Sequence, residues 1–262
     1  MEEVRFQYLR PAQITKRRKE CSVAYIPLGT LEWHGLHNPM GTDGLQAEEI
    51  AIRCAQRGGI AFPTVYWGES RAVSLLETNP EYGAGVAERL GVDADSFSVK
   101  NQPFTAYQQI INYQNLLTHI LCEVASYGFD MAVFVVGHYP LIDHARAAVI
   151  SYNQWRFDEG RHMLAWAFAD FLLLKKNNSY EHPGDHAGRW ETSHMLASCP
   201  ETVELELTRQ DLQYGIMGNE DPADSTAEFG NEIYEKAVEA AVDEVRARMR
   251  QPEEFKGHGM PL

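Results

Sequence analysis

Apolar residues along this chain fall into short unbroken runs separated by longer amphipathic stretches. VAYIPL at 23–28 and MAVFVV at 131–136 are continuous runs, the pattern of strands buried on both faces. HMLAWAFA at 162–169 reads the same way, and IAFPTVY at 60–66 predicts another strand with Pro63 near an end or an edge. Helical periods lie between them. Residues 44–58 carry Leu45, Ile50, Ile52 and Ala55 and stop at Gly58-Gly59, with Thr42 or Asp43 as the candidate N-cap. Residues 104–127 place Ile110, Ile111, Leu116, Leu117, Ile120, Leu121 and Val124 on an apolar stripe that ends at Gly128. Further helices are predicted over 141–155, 190–199 and 224–250, and a polar loop over 175–189. Residues 1–20 read as an extended lead-in. Residues 67–102 are irregular, with one short helix near Ala84–Leu90, and read either as a lid or interface element or as a plain surface excursion.

Strands alternating with helices predict one α/β domain over residues 1–262, with a mostly parallel sheet covered by helices on both faces. A chain of 262 residues that is 44% hydrophobic buries a core large enough to need no disulfides. Cys21, Cys54, Cys122 and Cys199 are scattered, with no C-x-x-C, which fits reduced thiols and argues against a thiolate zinc site. The N-terminal residues lack the apolar core of a signal peptide, and no run reaches the roughly 18 apolar residues of a membrane span. The expected location is the cytoplasm. A net charge of −14 sets nucleic acid and anionic membranes aside as partners.

Charge and polarity matter most at 26–43, IPLGTLEWHGLHNPMGTD, where Glu32, His34, His37 and Asp43 crowd between a strand and a helix. Glu32 and His34 are spaced i, i+2, so an extended backbone points both to one side, and the intervening turn can return Asp43 to them. Nitrogen from His with oxygen from Glu and Asp suits zinc, manganese or iron better than calcium. A carboxylate can also bridge two ions, which can share a hydroxide nucleophile and polarise a carbonyl. The competing reading makes Glu32 and His34 exposed turn residues. His138 follows its apolar run through Gly137, at a strand end where α/β sheets gather functional groups, although a buried hydrogen-bonded histidine fits the same position. His186 is a candidate proton carrier or an ordinary loop histidine, and Glu191 reads as a helix-start carboxylate. His37 reads as a supporting or solvated residue and His182 as a bystander. Trp190 is the candidate substrate-facing ring. No G-x-G-x-x-G, Walker or G-x-S-x-G motif supports a nucleotide cofactor or a serine nucleophile.

Three segments together resemble the creatininase (creatinine amidohydrolase) family. IPLGTLEWHGLHNPMGTD is similar to its G-x-x-E-x-H-G-x-H-x-P-x-x-T-D signature, VFVVGHY at 133–139 to its strand ending in Gly-His, and DHAGRWETSHMLA at 185–197 to its H-A-G-x-x-E-T-S segment. The matches span residues 23–205, with poor correspondence over 67–102 and beyond 205. The resemblance implies a three-layer αβα sandwich and, as partners, a small-molecule amide substrate and further copies of the chain in a homo-oligomer, often a hexamer. It implies one or two divalent metal ions held by Glu32, His34, Asp43 and His138, with Asp43 bridging, and His186 assisting proton transfer. After Gly-His the family carries Tyr-Glu-Asn or Gly-Gly-Asn, whereas this chain reads Tyr139-Pro140-Leu141, so the glutamate that binds a metal in one branch is replaced by Pro140. In the other branch the E-T-S glutamate fills that role, which makes Glu191 the fifth ligand and a catalytic residue beside His186. The implied activity is metal-dependent hydrolysis of a non-peptide amide C–N bond, cyclic or linear. A non-catalytic metal- or ligand-binding relative is the alternative, and a sugar-modifying metalloenzyme of the same fold a third.

Overall fold

The computed structural model describes residues 2–70, 83–97, 99–158, 163–209 and 215–255. In chain order its longer elements are α1 (Pro11–Glu20), β1 (Val23–Leu28), α2 (Thr42–Arg57), β2 (Ile60–Ala61), α3 (Gly83–Arg89), α4 (Ala106–Ser126), β3 (Met131–Val136), α5 (Leu141–Asp158), β4 (Leu164–Phe168), α6 (Asp170–Lys176), α7 (Arg189–Ser198) and α8 (Ala227–Arg250). The strands form one parallel sheet in the order β2-β1-β3-β4. β1 and β3 pair along their whole length, Val23 opposite Met131 through Leu28 opposite Val136, so both end level.

Every residue of β1 and β3 is buried, because each strand alternates between two helical layers. Ala24, Ile26, Leu28, Phe134 and Val136 face α4 and α5, packing on Tyr113, Leu117, Leu121 and Val149. Val23, Tyr25, Met131, Val133 and Val135 face α2 and α8, packing on Ala47, Ile50, Cys54, Tyr234, Val238 and Val245. The result is the expected three-layer αβα sandwich. Among the described residues no helix is long and apolar enough to cross a membrane.

Several boundaries depart from the sequence reading. The lead-in is not extended throughout. Pro11–Glu20 is a helix whose N-terminus is tied by Gln13 Oε1 accepting from the Arg10 N–H, 3.0 Å. Its residues are half-buried or exposed all round, so no apolar stripe announces it. The strand expected over 60–66 shrinks to Ile60–Ala61, and Val65 returns only as an isolated bridge to Leu28, as Pro63 between them predicts. Helix α2 begins earlier than expected, so Thr42 and Asp43 lie in its first turn and Gly41, rather than either of them, is the N-cap. The polar loop is preceded by an unforeseen helix, α6. In the irregular stretch α3 falls where a short helix was expected, while residues 71–82 lie outside the described residues.

Candidate metal centre

The carboxyl ends of β1 and β3 and the first turns of α2 and α7 meet at one point. Two glycines make the meeting possible. A Cβ on Gly29, just past β1, would collide with the backbone of Asp43 and Gly44. A Cβ on Gly137, just past β3, would collide with the Asp43 carbonyl. The start of α2 therefore drops into the notch between the two strand ends and carries the Asp43 carboxylate with it.

Asp43 faces two histidines. Its Oδ1 lies 3.1 Å from His34 Nε2, and its Oδ2 lies 3.0 Å from His138 Nδ1. Each half acquires a third donor. Glu32 Oε1 lies 2.8 Å from His138 Nδ1, and Glu191 Oε2 lies 3.4 Å from His34 Nε2. Glu32, Asp43 and His138 form one trio and His34, Asp43 and Glu191 another, with the donor atoms of each within 4.8 Å of one another. A third trio of Glu32, His34 and His186 overlaps them. The rings are turned for the purpose. His34 Nδ1–H points at the Glu32 carbonyl, 3.3 Å away, which leaves Nε2 for the centre. His138 is turned the other way, with Nδ1 inward and Nε2 toward Glu69 Oε2 at 3.6 Å.

The electrostatics fit a cation. Glu32, His34, Asp43, His138 and Glu191 are all buried, and among the described residues Glu32 Oε1 and Asp43 Oδ2 have no well-aligned hydrogen bond. His138 Nδ1 has one hydrogen to give to these two oxygens, and a buried acceptor left over is costly unless a positive charge joins it. Burial pushes the Glu32 carboxyl up to about 8, against the pull of His138. Burial also opposes charge on Asp43, yet His34 and His138 outweigh it and hold Asp43 well below its ordinary range. Reciprocally, Asp43 and Glu191 raise His34, and Glu32 and Asp43 raise His138, well above the usual imidazole range despite burial. A hard divalent ion meets the same demand without those protons, and carboxylate oxygens with imidazole nitrogens are the donors that zinc or manganese takes.

Beside the centre lies a cavity of about 340 Å³. Asp43, His138, His186 and Glu191 line its polar side, and Tyr139, Phe171 and Met217 its apolar wall. His186 is held by paired backbone bonds to Met217 and by Nε2–H donating to the Trp33 carbonyl, 2.9 Å. Burial, then the neighbouring His34, lowers its pKa, which favours the neutral ring, and with Nε2–H on Trp33 that ring carries its lone pair on Nδ1.

A family model described as "Creatininase: Creatinine amidohydrolase" matches residues 7–78 and 91–245. The chain belongs to the creatininase family. The matched stretches run on to residue 245 and leave out residues 79–90, which lie within the stretch read as irregular. The chain is 25% identical over 211 residues to the 3-dehydro-scyllo-inosose hydrolase of Thermotoga maritima, covering 78% of this chain and 58% of that protein, so it spans less than two thirds of the relative's length. In fold it is similar to a crystal structure of creatinine amidohydrolase (creatininase), with a TM-score of 0.68 and 20% identity over 94% of this chain and 97% of that one. It is equally similar to a mutant creatininase of Zn–Zn type, with a TM-score of 0.68 and 19% identity over 95% and 99% of the two chains.

For this creatininase-family chain, the structure brings together all six residues singled out at the sequence level, Glu32, His34, Asp43, His138, His186 and Glu191. Pro140 lines the cavity without a ligating side chain, and Glu191 completes the trio with His34. His37 is not solvated. It is buried, and its Nε2 lies 3.0 Å from the Ala187 carbonyl and 3.1 Å from Thr192 Oγ1, bracing the start of α7. Trp190 does line the cavity, with its indole N–H donating to Asp170 Oδ2, 3.0 Å. His182 is exposed and takes no part.

Four supporting residues escape sequence reasoning. Asp185 anchors α7 by accepting from the backbone N–H groups of Gly188, Trp190 and Glu191, and burial together with Glu191 pushes its carboxyl up to about 7 despite those bonds. Gln46 joins Glu191 to β3, His194 packs behind Gln46, and Glu69 backs His138. A D-x-x-G spacing before α7 was the one readable signal, marking Asp185 as a helix-start acceptor.

Proposed function

We propose that this protein is a divalent-metal-dependent hydrolase of a non-peptide amide C–N bond, cyclic or linear, in a small molecule. The observation that carries the reading is the pair of donor trios sharing Asp43 at the edge of a cavity of about 340 Å³, a volume suited to a metabolite. Divalent ions held there would supply the chemistry of a water nucleophile at neutral pH and of a polarised carbonyl. Glu32, Asp43 and His138 would hold one ion, and His34, Asp43 and Glu191 the other. His186 accepts a proton at Nδ1 and delivers it to the leaving nitrogen, a task that needs the neutral ring its burial favours. Tyr139 and Phe171, edge to face at 4.9 Å, give a flat substrate an apolar surface to lie against.

Metal analysis and turnover on a panel of cyclic and linear amides test the reading together. Zinc- or manganese-loaded protein should hold two ions per chain and hydrolyse members of the panel. Asp43→Asn should lose the ions and at least about a hundred-fold in rate. A variant that keeps both would remove Asp43 from the bridging position. A second reading rests on the Thermotoga relative, whose name gives a dehydro-inosose as substrate. Turnover of cyclic keto-polyols with none of amides would replace the amide assignment, and two bound ions with no turnover of either class would favour a binding protein.

A further inference from the structure

Glu191 reaches the His34 half of the centre from the first turn of α7, while the position after His138-Tyr139 is Pro140. Its carboxylate needs to be aimed. Oε2, the oxygen 3.4 Å from His34 Nε2, also accepts from the Ala187 N–H at 2.8 Å. The other oxygen, Oε1, accepts from Gln46 Nε2 at 3.1 Å. The same amide nitrogen donates to the Gly137 carbonyl at 3.0 Å, one residue before His138. One side chain from α2, three residues after Asp43, therefore ties the α7 carboxylate to the end of β3.

The amide has only one self-consistent orientation. Its nitrogen faces two acceptors, so its oxygen must face His194 Nδ1, 2.8 Å away, and that nitrogen must carry the hydrogen. His194 is itself buried, stacked on Tyr234 with ring centroids 4.4 Å apart. Gln46 is buried as well, at the wall of the cavity, with all three of its bonds made to protein groups. We infer that Gln46 is a positioning residue which holds the Glu191 carboxylate to the second metal position, standing in for the rigidity a ligand on the β3 loop would have had.

The inference rests on the two-metal reading, and the test separates the two. The probe is Mn²⁺ added to metal-free protein, read by electron paramagnetic resonance and by competition with a chromogenic chelator. Wild type should take up two ions and give the exchange-coupled signal of a bridged pair. Gln46→Met, which keeps the volume and removes both donors, should bind one ion as before and weaken the other by about 10–100-fold. Its spectrum at matched loading should be the sextet of isolated Mn²⁺. Gln46→Glu keeps the volume and the acceptor for His194, and its carboxyl, held protonated by burial beside Glu191, gives one hydrogen in place of two, so it should weaken the second ion less than Gln46→Met does. Circular dichroism and melting of the metal-free variants establish that they are folded. A wild-type-like coupled signal in folded Gln46→Met would overturn the positioning role while leaving the two-metal reading intact. Wild type that never shows a coupled pair would overturn both.

Discussion

Asp43 presents one oxygen to His34 and the other to His138, and in the metal-free chain it can do so only if those rings carry protons. Burial works against the charged rings, but Asp43 with Glu191 on one side and with Glu32 on the other raises both histidines well above their ordinary range. A ring nitrogen must give up its proton before it can ligate. Metal uptake at neutral pH should therefore release between about one and two protons from these rings, with Glu32, raised to about 8, adding to the release. Because protons compete with the metal, affinity should strengthen as pH rises from 6 toward 8, by up to roughly tenfold per unit for each proton displaced. Calorimetric titration of Zn²⁺ or Mn²⁺ in buffers of different ionisation enthalpy measures the release directly. Heats that do not depend on the buffer would mean that the histidines are already unprotonated, and that the carboxylates do not hold them as the geometry requires.

At the scale of elements, the centre depends on how closely α2 approaches the sheet. Gly137→Ala places a methyl group against the Asp43 carbonyl, a backbone atom that cannot swing aside. Overpacking of this kind costs typically 1–3 kcal/mol, and contact with backbone puts it at about 3 or more. The melting temperature should fall, and metal affinity should fall with it because the displaced atom belongs to Asp43, the residue shared by two of the donor trios. Unchanged affinity would show that the notch between the strands does not set the position of Asp43. The same contrast between strand ends and their surroundings explains what could be read in advance. β1 and β3 were legible to the residue because strands buried on both faces leave unbroken apolar runs. Glu32, His34, Asp43, His138 and His186 were legible as candidates because ligand chemistry is confined to a few residue types and these follow strand ends or sit in a polar loop, whereas Glu191 entered as a ligand through the family resemblance. α1 left no trace, since charges surround it, and Pro63 cut β2 short inside an apolar run. Gln46, His194 and Glu69 were out of reach because each acts through a contact between segments distant in sequence, and an isolated Gln or His on a buried helix face carries no local mark.

For the molecule as a whole, the main core does not depend on the centre. The two layers that sandwich the sheet are built from apolar side chains of β1, β3, α2, α4, α5 and α8, while the donors sit at the carboxyl edge where four elements converge. Metal removal should therefore loosen that edge without unfolding the chain. Ions that bind the folded state and not the unfolded one add about 2.7 kcal/mol of stability per site at a hundred-fold excess over Kd. For a protein near this size each kcal/mol moves the melting temperature by about 2–4 °C. Chelation should thus lower Tm by about 5–10 °C for each site emptied, with far-UV circular dichroism at 25 °C unchanged. The shift should grow with the logarithm of free metal and vanish in Asp43→Asn, where neither trio keeps its shared oxygen pair. Equal melting with and without Zn²⁺ or Mn²⁺ would break the link between the donor trios and the fold, because three buried carboxylates that bind a cation cannot do so without lending it their stability.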